Sequence, residues 1–495
     1  MLNSLSPGII LALIAAYFVL LMTISWFTGR KADNDSFFLA NRKSPWFLVA
    51  FGMIGASLSG VTFISIPGVV GAEGLNMNFS YLQVVLGYLV GYVVIALVLL
   101  PLYYRLGITS IYQFLEQRFG FFAYKTGSAF FLLSRTIGAS FRLFLVAIVL
   151  QEFVLGPFGV PFWVTVLTAI MLIWTYTFRG GIKTIVWTDT LQTISMLLAV
   201  ILTIFGIGNA LDLDLAGMIA LVSESDLSNM FYFSGGWSDP NNFFKQFLAG
   251  MFITIVMTGL DQDMMQKNLT CKNLKEAQLN MFSFSGILIF ANLLFLFLGA
   301  LLYLYSNQVG LEIPSSSDNL FPMVALQHLK PWVGIAFVIG LIAAAYSSAD
   351  SALTSLTTAF CVDFLGFTTE DQSKNQKRRR FMVHLGFSFL LFIVILLFKA
   401  LNNDAVINGL FKAAGYTYGP LLGLFAFGIF SKKRKLRGEW VIPVCILAPI
   451  LTFILQKFST TLFFGYQFGF ELLILNGLLT FFGLAAISYY PVEEE

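Results

Sequence analysis

Three observations predict an all-α polytopic membrane protein with about thirteen transmembrane helices. Of 495 residues, 58% are hydrophobic and only 11% are charged, so the chain could not cover a water-soluble surface with polar groups. Apolar runs of about 20 residues, the length that crosses a hydrocarbon layer as a helix, recur from one end to the other. The basic residues gather in alternate loops.

The runs cover approximately 7–28, 46–71, 80–104, 126–150, 160–178, 183–208, 243–264, 279–304, 331–360, 381–400, 405–430, 441–457 and 467–490. One set of loops holds Arg30, Lys31, Arg42, Lys43, Arg105, Arg118, Lys125, Arg179, Lys183, Lys267, Lys272, Lys275, the 374–380 cluster and the 432–437 cluster. The opposite face receives only Lys245, Lys330, Lys399 and Lys457. The positive-inside rule therefore puts the N-terminus outside, and the tail Glu493–Glu495 in the cytoplasm of an integral protein of the cell membrane. The net charge of +3 follows from this bias and implies no nucleic-acid partner. Cys271, Cys361 and Cys445 lie on or near the cytoplasmic side, where no disulfide is expected.

Span 46–71 carries Gly52, Gly55, Gly60 and Pro67. Such a helix is prone to interruption, which a membrane tolerates where freed backbone groups face a cavity or an ion. Span 243–264 repeats the feature more weakly, with Gly250 and Gly259 before Asp261. Two interrupted helices five spans apart point to an inverted repeat with a midplane site. Span 126–150 holds Arg135 and Arg142, seven residues apart and so on one face, and both need anionic or carbonyl partners. Asp189 lies about 9 Å inside the span that starts near Lys183. The segment from Asp261 to Ala277 reads as a polar cytoplasmic connector, residues 108–119 as an amphipathic cytoplasmic helix, and residues 209–242 as a surface excursion.

Span 331–360 is the most informative. Ser347, Ser348, Asp350, Ser351, Thr354 and Ser355 fall within about a 160° arc, opposite Ala349, Ala352, Leu353 and Leu356. A carboxylate roughly 20 Å from the end of the span costs a few kcal/mol unless something satisfies it. A stripe of oxygen ligands suits a hard cation. Only two histidines exist, and no nucleophile or metal-ligand constellation suggests an enzyme.

These residues resemble the sodium:solute symporter family, whose core is five plus five inverted helices of the leucine-transporter type. The matching signatures are Ser59-Gly60 through Pro67-Gly68, Gly180-Gly181 with Val186 to Gln192, Asp261-Gln262 with Gln266-Lys267, and the serine stripe from Ser347. The resemblance implies a sodium ion held by the carbonyls of Gly55, Leu58 and Ala344 and the hydroxyls of Ser347 and Ser348. Some members hold a second sodium at the positions of Asp189, Asp350 and Ser351; those members have hydroxyls at the latter two, whereas here one is Asp. Asp350 then shares a cation with Asp189, takes a proton, or pairs with a base such as Arg135 or Lys412. The solute is expected near Ser57, Ser59 and Thr62, with Gln83 a weaker candidate. Sialic-acid-transporting members place an arginine at the position of Gly138, and Arg135 and Arg142 flank it. This tilts the reading towards a carboxylate-bearing solute. Sugar transporters carry Asn, Tyr and Trp where this chain has Thr254, Met257 and Thr258.

The resemblance thus implies a sodium-coupled symporter of a small organic solute working by alternating access in a lipid bilayer, with sodium as its coupling ion; it leaves the oligomeric state open. The alternatives are a sodium/sugar or proline-like symporter, and a non-transporting membrane sensor of the same fold. The expected divisions are an extra helix and loop (1–45), the first repeat plus the first helix of the second (46–264), the remainder of the second repeat (265–430), and two C-terminal helices with a short tail (431–495).

Overall fold

The computed structural model describes residues 7–29, 34–368, 373–401 and 406–490. Arg30, Lys31 and the tail Glu493–Glu495, which enter the charge argument, lie outside them. The helices that match the apolar runs are α1 (Pro7–Gly29), α2 (Trp46–Leu58), α3 (Gly60–Val69), α4 (Tyr81–Leu106) and α5 (Phe121–Phe158). Next come α6 (Phe162–Gly180), α7 (Ile182–Ala210), α8 (Phe243–Gly259), α9 (Gln262–Asn268), α10 (Leu274–Val309), α11 (Pro331–Phe364) and α12 (Lys374–Ala400). The last are α13 (Gly409–Thr417), α14 (Gly419–Phe430), α15 (Gly438–Lys457) and α16 (Leu472–Ala486). Eight are long and apolar enough to cross a bilayer singly, three pairs do so as bent spans, and α6 and α16 are shorter. Together they account for each of the thirteen runs.

Burial sorts the helices. In its most apolar stretch α11 is 78% buried, whereas α1, α12 and α15 are each 22% buried. The first helix and the C-terminal helices thus flank a core, and α2, α7 and α11 pack against one another at its centre. Helices pack there through small residues that let backbones approach. A Cβ on Gly250 would lie 2.1 Å from the Val84 carbonyl, and one on Gly87 the same distance from that of Phe247.

Three bends shape the core. Chain direction changes by 54° between α2 and α3 at Ser59, whose φ of 29° is costly for a residue with a Cβ. The change is 68° between α8 and α9, where Leu260 and Asp261 leave the helix. The Asp261 carboxylate then caps the new start by accepting from the Asp263 N–H at 2.9 Å. Gly250 therefore marks close packing, and the break falls just after Gly259. A third bend, 44° between α13 and α14, has no counterpart in the sequence reading; it lies at Tyr418.

The connector reading of residues from Asp261 onward is overturned for α9, because every residue from Gln262 to Asn268 is buried. Lys267, counted among cytoplasmic charges, is 1% exposed, and so is Lys245 on the other face. Lys245 is tied to the Trp237 and Gln467 carbonyls and to Glu471, 3.4 Å away. Neither lysine therefore reports topology. The 108–119 stretch is helical only over Gln113–Phe119. Its preceding loop is clamped from inside by Gln262, whose amide oxygen accepts from the Ile111 N–H at 2.9 Å and whose nitrogen donates to the Thr109 carbonyl at 2.8 Å. The 209–242 excursion contains a helix, Leu215–Ser223, capped by Asp214.

Candidate functional site

The serine stripe on α11 faces α7 and the end of α2. Ser347, Ser351 and Thr354 sit at helical spacing, and each hydroxyl is buried without a hydrogen bond. Buried hydroxyls rarely stay unsatisfied. Across the seam the Oδ1 of Asp189 and both amide atoms of Gln192, one turn further along α7, likewise make no hydrogen bond of normal geometry, although Ser347 lies near the Asp189 carboxylate and Tyr176 near the Gln192 amide. Gly55 permits the approach: a Cβ there would lie 3.0 Å from Ser347 Oγ, 2.4 Å from Thr193 Oγ1 and 3.5 Å from the Asp189 carbonyl. The Gly55 carbonyl accepts from the Ser59 N–H at 3.0 Å, and the Ser348 hydroxyl donates to the Ala344 carbonyl at 3.3 Å. Gly55, Ala344, Ser347 and Ser348 are thus brought together, with Leu58 at the end of α2. Their donor set is oxygen alone, which fits a hard monovalent cation.

The two carboxylates have partners the sequence did not suggest. Asp189 Oδ2 is bonded to Lys267 Nζ at 2.6 Å, with both side chains essentially inaccessible. Asp350 accepts from the Tyr176 hydroxyl at 2.7 Å and from the Ser351 N–H at 2.5 Å. Asp189 and Lys267 both lie within electrostatic reach of Asp350. The alternative pairing of Asp350 with Arg135 or Lys412 is therefore corrected: Arg135 lies elsewhere, and Lys412 is exposed. The seam holds two carboxyl groups and one ammonium, and the ammonium is bonded to Asp189, so Asp350 has no ion-pair partner of its own. Lys267 was hidden because its position beyond the break read as loop.

A cavity lies beside the α2/α3 bend. It is lined by Ser57, Ser59 and Thr62, by Tyr81, Tyr88 and Tyr92 of α4, by Arg135 and Arg142, and by Thr254, Met257 and Thr258. Asn292 of α10, missed in the sequence reading, also lines it. Its nitrogen donates to the Leu288 carbonyl at 2.8 Å, which fixes its oxygen as the group left to accept. Leu410 and Phe411 of α13 close one side.

The two arginines differ. Arg135 forms an ion pair with Asp263 and has Asp261 Oδ2 at 4.0 Å. Arg142 has no carboxylate within bonding distance among the described residues, while the Nε atoms of both arginines are buried without a partner. Gln83 is corrected as a solute candidate because its amide is consumed by the 209–242 loop and by Gln246 of α8. It donates to the Asn241 carbonyl at 2.9 Å and to Gln246 Oε1 at 2.8 Å, and it accepts from the Tyr232 N–H at 3.0 Å.

A profile of the Sodium:solute symporter family matches residues 37–441. The Sodium/sialic acid symporter NanT of Aliivibrio fischeri is 24% identical over 94% of this chain and 91% of its own length. The human Sodium/iodide cotransporter is 25% identical over 81% of this chain and 62% of its own length. Among solved structures, a substrate-bound, outward-open Na+-coupled sialic acid symporter superposes with a TM-score of 0.82 over 97% of both chains at 19% identity.

The buried ion pair generates a stability prediction. Lys267→Met leaves Asp189 uncompensated and should destabilise the protein by about 3–5 kcal/mol, whereas Lys267→Met with Asp189→Asn should recover most of that loss. Thermal unfolding of the purified variants measures both. Equal losses in the single and the double variant would mean that the pair does not act as a unit.

Proposed function

Because the chain belongs to the sodium:solute symporter family of membrane transporters, we propose that it imports a small carboxylate-bearing solute with sodium, and that Arg142 holds the carboxylate. The observation that carries this reading is the asymmetry of the arginines. A guanidinium buried in a cavity wall without an acid is a preformed anion site, and its planar fork matches a carboxylate. Arg135, already held by Asp263 and with Asp261 Oδ2 4.0 Å away, shapes that side of the cavity wall. The serine and threonine hydroxyls at the α2/α3 bend, with Asn292, offer hydrogen bonds to the rest of the solute. Thr254, Met257 and Thr258 give a smaller, less polar wall than a hexose site would need. The relative named as a sialic acid symporter takes up an acid, which agrees with this reading.

Sodium is assigned first to Gly55, Leu58, Ala344, Ser347 and Ser348, where the end of α2 meets α11. A second sodium is assigned to Asp189 Oδ1, Asp350 and the Ser351 hydroxyl, where two carboxyl groups share one ammonium and oxygens without hydrogen bonds meet. Sodium bridging α2, α7 and α11 favours the arrangement in which the solute cavity is formed, and this difference in affinity between states is what couples the two fluxes. We also take the N-terminus to lie outside and divide the chain into an extra helix and loop (1–45), the first repeat plus the first helix of the second (46–264), the remainder of the second repeat (265–430), and two C-terminal helices with a short tail (431–495).

Two outcomes test this. Replacing Ser347 and Ser348 together by Ala removes two of five ligands and should raise the sodium concentration for half-maximal uptake about tenfold or more, with membrane insertion unchanged; an unaltered sodium dependence removes this site from the mechanism. Arg142→Lys should weaken binding of anionic solutes at least about tenfold in proteoliposome uptake across a panel of carboxylates, sugars and amino acids. Retained affinity for an anionic substrate in Arg142→Lys and Arg142→Gln would leave the carboxylate reading without support.

A further inference from the structure

The bend between α13 and α14 is held by two side chains that the sodium and solute sites do not use. Tyr416, three residues before α14, would normally pair its carbonyl with the N–H of residue 420, but residue 420 is proline and has none. Asn476, in the middle of the C-terminal helix α16, supplies the missing donor. Its amide nitrogen donates to the Tyr416 carbonyl at 2.8 Å and to the Gly415 carbonyl at 3.0 Å. Only the nitrogen can serve two carbonyls, so the orientation of the amide is fixed and its oxygen is left buried without a partner. A Cβ on Gly419 would sit 2.2 Å from that nitrogen, so residue 419 lacks a side chain where Asn476 enters the bend. Two polar atoms fully enclosed in an apolar helix pair are costly, and the freed carbonyls explain only one of them.

On the opposite side the bend is tied to the core. The Tyr418 hydroxyl donates to Asp261 Oδ2 at 2.5 Å, and the other oxygen of that carboxylate caps α9. Arg135, in the cavity wall, has Nη1 4.0 Å from the same Oδ2. The half of the bent span before Tyr418 carries Leu410 and Phe411 against the cavity, with the Phe411 ring stacked over Tyr81 at 6.5 Å. One hinge is therefore gripped by the break of the second bent span and by a helix outside the five-plus-five core.

We propose that Asn476 and Tyr418 are positioning residues of the transport cycle: they set the bend at Tyr418 and so determine whether α13 closes over the solute cavity. A purely structural Asn476 would dock α16 against α14 and do nothing else. The inference rests on sodium-coupled transport but not on the identity of the solute, so sodium alone serves as the probe.

The test places a cysteine at Leu410, which is 4% exposed, and follows its reaction with a membrane-impermeant thiol reagent in proteoliposomes containing sodium or choline. The native cysteines Cys271, Cys361 and Cys445 are all buried. In the Leu410→Cys parent, sodium should change the labelling rate by about tenfold. Adding Asn476→Leu should abolish most of that difference, and Asn476→Ser, which keeps one donor, should retain part of it. Tyr418→Phe removes one hydroxyl without touching α16 and should also flatten the response, so the proposal stays testable if Asn476→Leu fails to fold. A parent that ignores sodium overturns the proposal. So does a full sodium response in Asn476→Ser and Tyr418→Phe, even where Asn476 variants melt at lower temperature.

Discussion

The ion pair between Asp189 and Lys267 is the constraint around which this structure is arranged. A carboxylate and an ammonium enclosed by α2, α7, α9 and α11 cost several kcal/mol to desolvate, and they are tolerable only if placed within bonding distance of each other. Bringing Lys267 that deep requires α9 to turn back into the protein after the α8 break. Bringing Asp189 to it requires α2 to lie close along α7, which glycine at positions 52 and 55 allows: a Cβ on Gly52 would sit 3.1 Å from Asp189 Cβ. Once the pair is formed, Asp350 is left with hydrogen-bond donors but no ammonium of its own, beside hydroxyls that make no hydrogen bond. A bound cation would serve both the carboxyl group and those oxygens.

The three bends follow from the same economy of polar groups. At Ser59 the backbone accepts a strained φ so that the helix end meets α11. At Asp261 a side chain replaces the lost helical acceptor and also holds Arg135 and Tyr418. At Tyr418 a proline withdraws a donor and an asparagine from another helix returns one. The second and third bends are joined directly by the Tyr418–Asp261 hydrogen bond, and Ser59 of the first lines the cavity that Arg135 also walls, which makes movement at one costly without movement at the others.

Much of this was legible in the sequence for identifiable reasons. Hydrophobic run length fixed the spans, and the one-sided stripe from Ser347 to Ser355 pointed to the polar face that α11 turns towards α7 and α2. The glycines and proline around Ser59 marked the first break correctly. Lys267 and Lys245 misled because a lysine near the end of an apolar run reads as a loop charge, and nothing local tells whether the chain there re-enters the protein. Gln83 misled because its partners, Asn241, Gln246 and Tyr232, lie about 150 residues away. The division of labour between Arg135 and Arg142 depends on where α9 places Asp263, and Asn292 and Asn476 look alike in sequence until the helices they face are known. Such long-range pairings are set by packing and leave no periodic trace.

The central claim is that the seam between α7 and α11, together with the end of α2, binds sodium. Saturation binding of radioactive sodium to the purified protein in a choline background measures this without reference to any solute. The account predicts saturable binding that approaches two ions per chain, survives excess potassium, and is lost when Ser347, Ser351 and Thr354 are replaced together by alanine in protein that remains folded. Absence of saturable binding, or binding that persists in the folded triple variant, would contradict it.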